Sequence, residues 1–410
     1  MEKLAQTKID KLPINQQQFL QDKHLEYKFS LQEIRQIVDF AIDFNMWKEN
    51  SIDMIWEDKD HKKEMFKAIR NIWQGLKTKA NTYDNFSKKD YKLDEKITFE
   101  VKTKDYVGLG SCPVASPNTR CCNLLTLDAV ESCGFDCSYC SIQSFYNQNK
   151  ISFDTNLIEN LKNIKLDPNE TYHIGTGQSS DSLMWGNREG LLDALFEFAK
   201  ENPNVILEFK TKSNSIKYFL ENEVPKNIIV SWSLNTPTII ENEEHLTATL
   251  DQRIKAARDL ADKGILVGFH FHPIVHYENY LEEYGQVYTK LIDTFNSSEV
   301  VFVSLGTLTF IKPVIKKLRD RGLKSKILQM PFEDANGKAS YPLDIKREMF
   351  KHAYDSFDVW HRDVYFYLCM EDHSLWKDVF GYEYISNNQM EGFMKMSYKN
   401  KIDELINDTN

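Results

Sequence analysis

Three of the chain's seven cysteines, Cys133, Cys137 and Cys140, lie within eight residues in the spacing C-x3-C-x2-C. Thiolates grouped this closely are typical ligands of soft metals and iron–sulfur clusters. If three thiolates hold a four-iron cluster, one iron has no protein ligand and is open to a second molecule. The spacing therefore predicts an iron–sulfur centre at which a bound molecule can be reduced.

Two other roles are compatible with the same cysteines. They could be small buried apolar residues, although Gly134 and Asp136 would make a poor buried helix. They could also belong to a structural zinc site, which usually has four ligands. The residues that could complete such a site are Cys112, Cys121, Cys122 and His173. From spacing alone, the zinc site stays open.

Strand-like and helix-like patterns alternate through the middle of the chain. Strands are predicted at residues 124–127, 172–174, 205–209, 228–232, 265–271 and 300–303. Such alternation is typical of parallel strands joined by crossover helices. The cysteine motif follows the first of these strands, so it should lie at the carboxyl ends, where these folds place their chemistry. We expect an α/β fold, a partial (β/α)6 TIM-like barrel.

Other patterns are expected to flank the barrel. Ser30-Leu-Gln-Glu33 is a capping box, and apolar residues follow it at helical spacing. A further strand is predicted at 364–368, before a short helix. The predicted organisation is a helical N-terminal extension (residues 1–105), the barrel (106–325) and a small C-terminal cap region (326–410).

Composition limits the compartment and the partners. No apolar run approaches the ~20 residues that span a bilayer, and the polar N-terminus lacks a signal-peptide pattern. With an odd number of clustered cysteines, these features predict a cytoplasmic protein without a membrane partner. A net charge of −10 does not favour global attraction to nucleic acid, because duplex binding neutralises phosphates. The basic run from Lys312 to Lys326 is the best phosphate-facing candidate.

With Tyr139 before its last cysteine, the motif resembles the signature of radical S-adenosylmethionine enzymes. In those enzymes three cysteines hold a [4Fe–4S] cluster, and the open iron binds the amino and carboxylate groups of S-adenosylmethionine. One electron cleaves this cofactor, and the resulting 5′-deoxyadenosyl radical abstracts hydrogen from the substrate. The resemblance implies both cofactors, and a reducing electron donor such as flavodoxin or ferredoxin.

A closer resemblance, from Cys133 to Pro313, is to the spore photoproduct lyase or DNA repair photolyase-like branch. The segments that carry it are 140–143, 179–181, 209–212, 232–235, 250–257, 268–274 and 310–313. It implies a substrate in damaged DNA. An RNA base, another nucleic-acid base or a small molecule is the alternative for the same chemistry. A zinc-stabilised binding protein without catalysis is the alternative from another class.

The resemblance also implies roles for polar residues at the predicted strand ends. The implied cofactor-binding residues are Ser180, Asp181, Lys212, Ser233, Asn235 and Arg253. Ser180 and Asp181 would contact the methionine part, and Lys212 would face the cofactor carboxylate or a substrate phosphate. Ser233 and Asn235 would hydrogen-bond the ribose or carboxylate. Arg253 would clamp the carboxylate through two hydrogen bonds.

The chain departs from the lyase pattern at three places, all in the substrate chemistry. Residues 175–181 lack the thiol that returns hydrogen to the product radical in the lyases. Ser141 stands where the lyases have a second tyrosine, so Tyr139 alone remains of that pair, and residues 304–309 lack an expected arginine. Cys369 is the predicted alternative hydrogen donor, with Cys121 and Cys122 as further thiols.

Overall fold

The computed structural model describes residues 2–84, 86, 97–112, 118–141 and 150–407. Its main sheet has eight strands: β1 (Gly108–Ser111), β2 (Leu125–Asp128), β3 (Tyr172–Thr176), β4 (Val205–Thr211), β5 (Ile228–Ser233), β6 (Leu266–Ile274), β7 (Val300–Thr307) and β8 (Tyr365–Leu368). The strands lie side by side in chain order. β1 is antiparallel to β2, and β2 to β8 are parallel.

This sheet confirms the predicted α/β partial barrel and extends it. Six parallel strands were expected, and the strand predicted at 364–368 adds a seventh by pairing with β7. Within the described residues no hydrogen-bonded ladder joins β1 to β8, so the barrel stays open. The central strands are buried on both faces because helices cover the outside and side chains, some of them polar, fill the inside.

The described α-helices are Ile14–Tyr27 (α1), Leu31–Met46 (α2), Ile52–Ile55 (α3), Lys62–Thr78 (α4), Leu157–Lys162 (α5), Leu191–Glu201 (α6), Lys217–Glu221 (α7), Pro237–Glu243 (α8), Leu250–Asp262 (α9), Tyr280–Thr294 (α10), Lys312–Arg321 (α11), Leu343–Ser356 (α12), Ser374–Phe380 (α13) and Asn387–Asn407 (α14). The predicted capping box at Ser30 begins α2. None of these helices is long and apolar enough to cross a membrane.

The N-terminal helices pack against the barrel helix α11 through a buried ion pair. The Arg319 guanidinium donates to both carboxylate oxygens of Asp43, at 2.8 and 2.7 Å. The Trp73 indole on α4 donates to the same carboxylate at 2.8 Å. Asp43 therefore joins α2, α4 and α11, which is a specific anchor for the helical extension. The domain boundaries themselves stay a prediction.

Three smaller sheets surround the barrel mouth. Thr98–Lys102 and Val130–Glu131 flank Lys150–Asp154, while Thr309–Ile311 and Glu333–Ala335 flank Lys338–Ser340. Asp136–Cys137 pairs with Glu244–His245. The last pairing matters most for function, because it attaches the cysteine motif to the segment that follows α8.

Candidate active site

A cavity of about 380 Å³ lies at the carboxyl ends of the parallel strands. The three motif cysteines line it, together with four of the predicted cofactor-binding residues: Ser180, Asp181, Lys212 and Ser233. Tyr139 and Cys369 also face it. The volume is within the usual range for small-ligand sites. Residues from five separate strand ends therefore meet in one place.

The cysteine loop is held from two sides. Cys137 pairs with Glu244, and the Ser138 backbone N–H donates to the Glu243 carbonyl at 2.8 Å. On the other side, Gly134 lies so close to the next loop that a Cβ there would be 2.6 Å from the Met184 methyl group. The loop can approach this closely because position 134 has no side chain. The predicted segment 140–143 continues beyond the described residues at Ile142 and Gln143.

The buried motif thiols must lose their protons to bind metal. Burial raises the pKa of Cys133 and Cys137 above the ordinary thiol value, so both are protonated before a metal binds. Metal binding would release these protons. Among the described residues, no three His, Cys, Asp or Glu side chains are arranged to hold a single metal ion. In a cluster each thiolate binds a different iron, so its ligands need not converge on one point as zinc ligands do.

Glu244 is the centre of the polar network behind the cysteines, and its role was not predicted. Its fully buried carboxylate accepts hydrogen bonds from Arg253 at 2.6 Å, from Lys212 at 3.3 Å and from the Tyr139 hydroxyl. Burial alone would raise its pKa, but the Arg253 and Lys212 cations lower that pKa to about 2. Glu244 is therefore a stable anion that positions Lys212 and Tyr139 at the cavity wall.

Arg253 and Asn235 act from behind this wall. Both are fully buried and lie outside the cavity lining that the described residues form. The Arg253 guanidinium donates to the Ala248 and Ser233 carbonyls at 2.9 and 2.8 Å, as well as to Glu244. Asn235 donates to the Pro273 carbonyl at 3.1 Å and to Glu244 at 3.4 Å. The structure does not bring these two residues to the cavity, and we assign them a positioning role through Glu244.

Asp181 organises the loop after β3. Its buried carboxylate accepts from the Thr211 hydroxyl at 2.7 Å and from the Lys212 backbone N–H at 2.6 Å. It also accepts from the backbone N–H groups of Leu183 and Met184, both at 3.0 Å. Burial raises the pKa of Asp181, and these four hydrogen bonds oppose that rise. Asp181 thus fixes the start of the Lys212 segment relative to the cysteine loop.

Glu208 forms a second buried polar centre, on the floor of the cavity. Its carboxylate contacts His173 Nε2 at 2.8 Å and His270 Nε2 at 2.7 Å, and accepts from Ser231 Oγ at 2.5 Å. Burial opposes ionisation, but the two imidazoles hold the pKa of Glu208 well below its usual range. Burial and the nearby Lys210 ammonium lower the pKa of His270 to about 4. His173 Nε2 is thus occupied by Glu208, and His173 lies outside the cavity lining that the described cysteines form.

Sequence reasoning missed both glutamates for a physical reason. Glu208 lies among apolar residues inside a buried strand. The one feature of the sequence that could have indicated its role is a carboxylate in a strand predicted to be buried. Glu244 follows α8 and meets partners 9, 32 and 105 residues away in sequence. His270 and His272 alternate along β6, and both line the cavity.

Comparison with known proteins identifies the family. The family model for spore photoproduct lyase matches residues 126–341, more than half of the chain. The chain belongs to the spore photoproduct lyase family. The match begins at β2 and includes the cysteine motif and the parallel strands through β7.

Individual members of the spore photoproduct lyase family are distant relatives. A spore photoproduct lyase from Clostridium acetobutylicum is 28% identical over 182 residues, covering 43% of this chain and 54% of the relative. One from Geobacillus sp. (strain Y412MC61) is 23% identical over 203 residues, covering 48% of this chain and 59% of the relative. The matched region thus spans little more than half the length of these curated relatives.

Solved structures of spore photoproduct lyase share the fold. One, complexed with dinucleoside spore photoproduct, has a TM-score of 0.57 at 19% identity and covers 66% of this chain and 82% of its own. A mutant with bound AdoMet and dinucleoside spore photoproduct has a TM-score of 0.54 at 18% identity, with 69% and 88% coverage. At this identity the likeness establishes the architecture of the barrel.

Proposed function

We propose that this protein is a radical S-adenosylmethionine enzyme that acts on a damaged base in nucleic acid. One observation carries the proposal: the three motif thiols, two lysines and the polar strand ends line a single cavity at the mouth of the barrel. The membership in the spore photoproduct lyase family supports it.

The residues present fit the two implied cofactors. Cys133, Cys137 and Cys140 supply the three soft ligands that a [4Fe–4S] cluster with one open iron requires. Such a cluster would supply the electron that cleaves S-adenosylmethionine and starts hydrogen abstraction from the substrate. Lys210 and Lys212 both line this cavity, and the Lys212 ammonium, which lies beside the Tyr139 ring, is the one we assign to the carboxylate of the cofactor.

The chain's own residues hold this arrangement in place. Glu244 orients Lys212 and the Tyr139 ring, whose centroid lies 5.7 Å from the Lys212 ammonium. Asp181 connects the loop after β3 to the end of β4. Ser180 accepts a hydrogen bond from the Trp185 indole at 3.0 Å, and Trp185 packs against the cysteine loop at Gly134. We infer that the polar strand ends are preorganised before the cofactor binds.

A basic cleft supports a nucleic-acid substrate. A second cavity, of about 790 Å³, is lined by Arg35, Lys77, Lys312, Lys316 and Lys338, and by Lys8 and Arg319, which are paired with Asp320 and Asp43. Its acidic lining residues are Asp39, Glu333 and Asp334. Trp73 and Phe332 add aromatic surface, on which a base can stack. This local positive charge contrasts with the net charge of −10.

The cleft adjoins the barrel mouth. Thr309 and Phe310 line the cysteine cavity, and Lys312, two residues later, lines the cleft. A strand held in the cleft by its phosphates would therefore lie beside the cavity entrance. The solved spore photoproduct lyases with a bound dinucleoside spore photoproduct support the same substrate class. We propose a lesion in DNA, with another nucleic-acid base as the variant that turnover assays distinguish.

Anaerobic reconstitution tests the proposal. With iron, sulfide, dithionite and S-adenosylmethionine, we expect release of 5′-deoxyadenosine, and then turnover of DNA that contains thymine-dimer lesions. Lys212→Gln should weaken S-adenosylmethionine binding about tenfold, since it removes a charged hydrogen bond. Lys217→Gln, on the exposed first turn of α7, is the matched control. Stoichiometric zinc without cofactor cleavage would instead show a zinc-stabilised binding protein.

A further inference from the structure

A second glutamate, Glu243, lies behind the cysteine loop and outside the cavity lining of the described residues. It is the last residue of α8 and is fully buried. Its carboxylate accepts hydrogen bonds from the Ser325 hydroxyl at 2.7 Å, the Lys326 backbone N–H at 2.8 Å and the Tyr83 hydroxyl at 2.9 Å. It also accepts one from the Ser138 hydroxyl. An ionised carboxylate has about four acceptor positions, and these four donors fill them.

Ser138 connects this carboxylate to the candidate cluster site. It lies between Cys137 and Cys140 in the motif and is buried. The Ser138 backbone N–H donates to the Glu243 carbonyl at 2.8 Å. One residue therefore holds both the main chain and the side chain of Ser138. A shift of Glu243 would move the two cysteines on either side of it.

The first part of the chain, residues 2–84, supports the donors around this carboxylate. We call it the N-terminal segment, and one donor, the tyrosine hydroxyl, belongs to it. The Ser325 backbone N–H donates to the Met46 carbonyl at 2.9 Å. The Lys326 ammonium donates to the Glu49 carboxylate at 3.2 Å. Helix α2 and the residue that follows it by three positions thus fix the two donors that lie after α11.

Two further hydrogen bonds enclose the stretch from Ser325 to Gln329. The Gln329 side-chain amide donates to the Glu49 carboxylate at 2.8 Å, and the Asn81 amide donates to the Gln329 carbonyl at 2.9 Å. Both amide side chains belong to buried residues. The region that the family model matches, residues 126–341, includes this stretch but not the N-terminal segment. The support for the cysteine loop therefore comes from outside the matched region.

A carboxylate is a costly group to bury unless donors surround it, and apolar side chains could join the same segments without that cost. Its advantage is direction, because hydrogen bonds to a charged acceptor are short and strong. Metal ligands must lie within roughly 0.2 Å of their required distances. Loss of a hydrogen bond behind a ligand typically lowers metal affinity by roughly 10–100-fold. These features favour ligand placement as the role of Glu243.

We propose that Glu243 positions the cysteine loop for the cluster, and that the N-terminal segment acts on the cluster through Glu243. This role rests on the proposed function, because it requires that the motif thiols hold a cluster. It does not require that the cluster cleave S-adenosylmethionine. Two consecutive glutamates then have separate tasks: Glu244 fixes Lys212 and Tyr139 at the cavity wall, and Glu243 fixes the loop that carries the cysteines.

Iron release to a chelator, from the anaerobically reconstituted full chain, tests the proposal. Glu243→Ala removes the acceptor of all four donors and should release iron about tenfold faster than wild type. Glu243→Gln should restore most of the retention, since its oxygen can accept from Tyr83 and Lys326 while its amide donates to the two serine hydroxyls. Tyr83→Phe removes the direct bond from the N-terminal segment and should speed release about threefold. Glu241→Ala, an exposed change in the same helix, should keep the wild-type rate.

Hydrogen exchange of the protein without iron is the second readout. The Ser138 amide keeps its acceptor in Glu243→Ala, because that acceptor is a backbone carbonyl. Its exchange should still be faster, since the loop has lost its side-chain support. Leu195→Ala, a buried change in α6, lowers overall stability away from the loop. It should leave both Ser138 exchange and iron release at wild-type values.

Wild-type iron release together with wild-type Ser138 exchange in Glu243→Ala would overturn the proposal. Equal acceleration by Glu243→Ala and Leu195→Ala would also do so, because it would show a loss of overall stability only. If Glu243→Ala does not fold, Tyr83→Phe decides: a wild-type release rate contradicts the proposal, and a faster one supports it. The proposed function is read separately from 5′-deoxyadenosine release. Iron that the wild type holds without cleaving the cofactor contradicts the proposed chemistry alone.

Discussion

Replacement of Glu244 by glutamine tests whether one buried carboxylate holds the cofactor wall together. Glutamine keeps the size and one acceptor oxygen but removes the charge that compensates Arg253 and Lys212. The Arg253 guanidinium is fully buried and lies 2.6 Å from the carboxylate. Without its partner it becomes an uncompensated buried charge, which is strongly destabilising.

The pKa of Glu244 sets the size of the effect. Its folded-state pKa of about 2 lies below the ordinary value of 4.5, which corresponds to roughly 3 kcal/mol of stability at pH 7. Removal of one partner from a buried ion pair typically costs ~3–5 kcal/mol. We therefore expect E244Q to lower the free energy of unfolding by about 3 kcal/mol. Because the folded-state pKa is the lower one, this contribution is complete above pH 4.5 and is lost as the pH falls towards 2.

Urea unfolding at pH 7, followed by tryptophan fluorescence, measures the difference. Glu241→Gln, an exposed change in the helix that ends just before Glu244, is the matched control and should stay within ~0.5 kcal/mol of wild type. An E244Q/R253M double variant should lose less than the two single variants together, since it removes both charges. If E244Q costs no more than E241Q, the role assigned to Glu244 is refuted.

Three further predictions concern the loop after β3, the floor of the cysteine cavity and the basic cleft. Gly177→Ala should cost ~1–3 kcal/mol more than Gly186→Ala; both glycines have positive φ, but only at Gly177 would a Cβ meet other atoms, at 2.5, 3.0 and 3.1 Å. Because the folded-state pKa of His270 is about 4, below its ordinary 6.5, this imidazole should cost wild type about 2 kcal/mol of stability as the pH falls to 5. His270→Gln should lose about 2 kcal/mol less than wild type over that interval, although the lowered pKa of His272 still contributes an acid loss of its own. A Lys312→Gln/Lys316→Gln variant should make the slope of log K for DNA binding against log salt concentration shallower. The change should correspond to the loss of up to about two phosphate contacts.

Each of these predictions has its own measurement. Thermal or urea unfolding compares the two glycine variants, and equal losses would contradict the tight packing at Gly177. Unfolding at pH 7.5 and pH 5 compares His270→Gln with wild type, and an unchanged acid loss would contradict a neutral buried His270. Fluorescence anisotropy at several salt concentrations measures DNA binding; Lys217→Gln/Lys255→Gln removes the same charge from exposed sites elsewhere. If that control has the same effect, the cleft has no special role.

Local patterns were sufficient to predict the barrel and its cysteine site. Strand–helix alternation depends on short-range periodicity, and the motif lies within eight residues. The pairing of β8 with β7 could not be predicted, because α12 and a long connection separate the two strands. The prediction of a strand at 364–368 was correct, but its partner depends on how the chain returns to the sheet.

Arg253 shows the limit of inference from strand ends. Its position in the sequence is compatible with a contact to a cofactor carboxylate. In the structure, the carboxylate that it contacts belongs to Glu244. A sequence does not distinguish an arginine that faces a ligand from one that faces a buried acid. The same limit applies to Asn235, whose amide supports Glu244 and the Pro273 carbonyl. Contacts of this kind depend on the packing of the whole barrel.

The central claim is that Cys133, Cys137 and Cys140 hold a cluster whose open iron binds S-adenosylmethionine beside Lys212. Electron–nuclear double resonance of the reduced protein tests it, with cofactor labelled by 15N in the amino group and 17O in the carboxylate. We predict hyperfine coupling of the cluster to both labels. A reduced cluster that binds the cofactor but shows coupling to neither label would contradict the account.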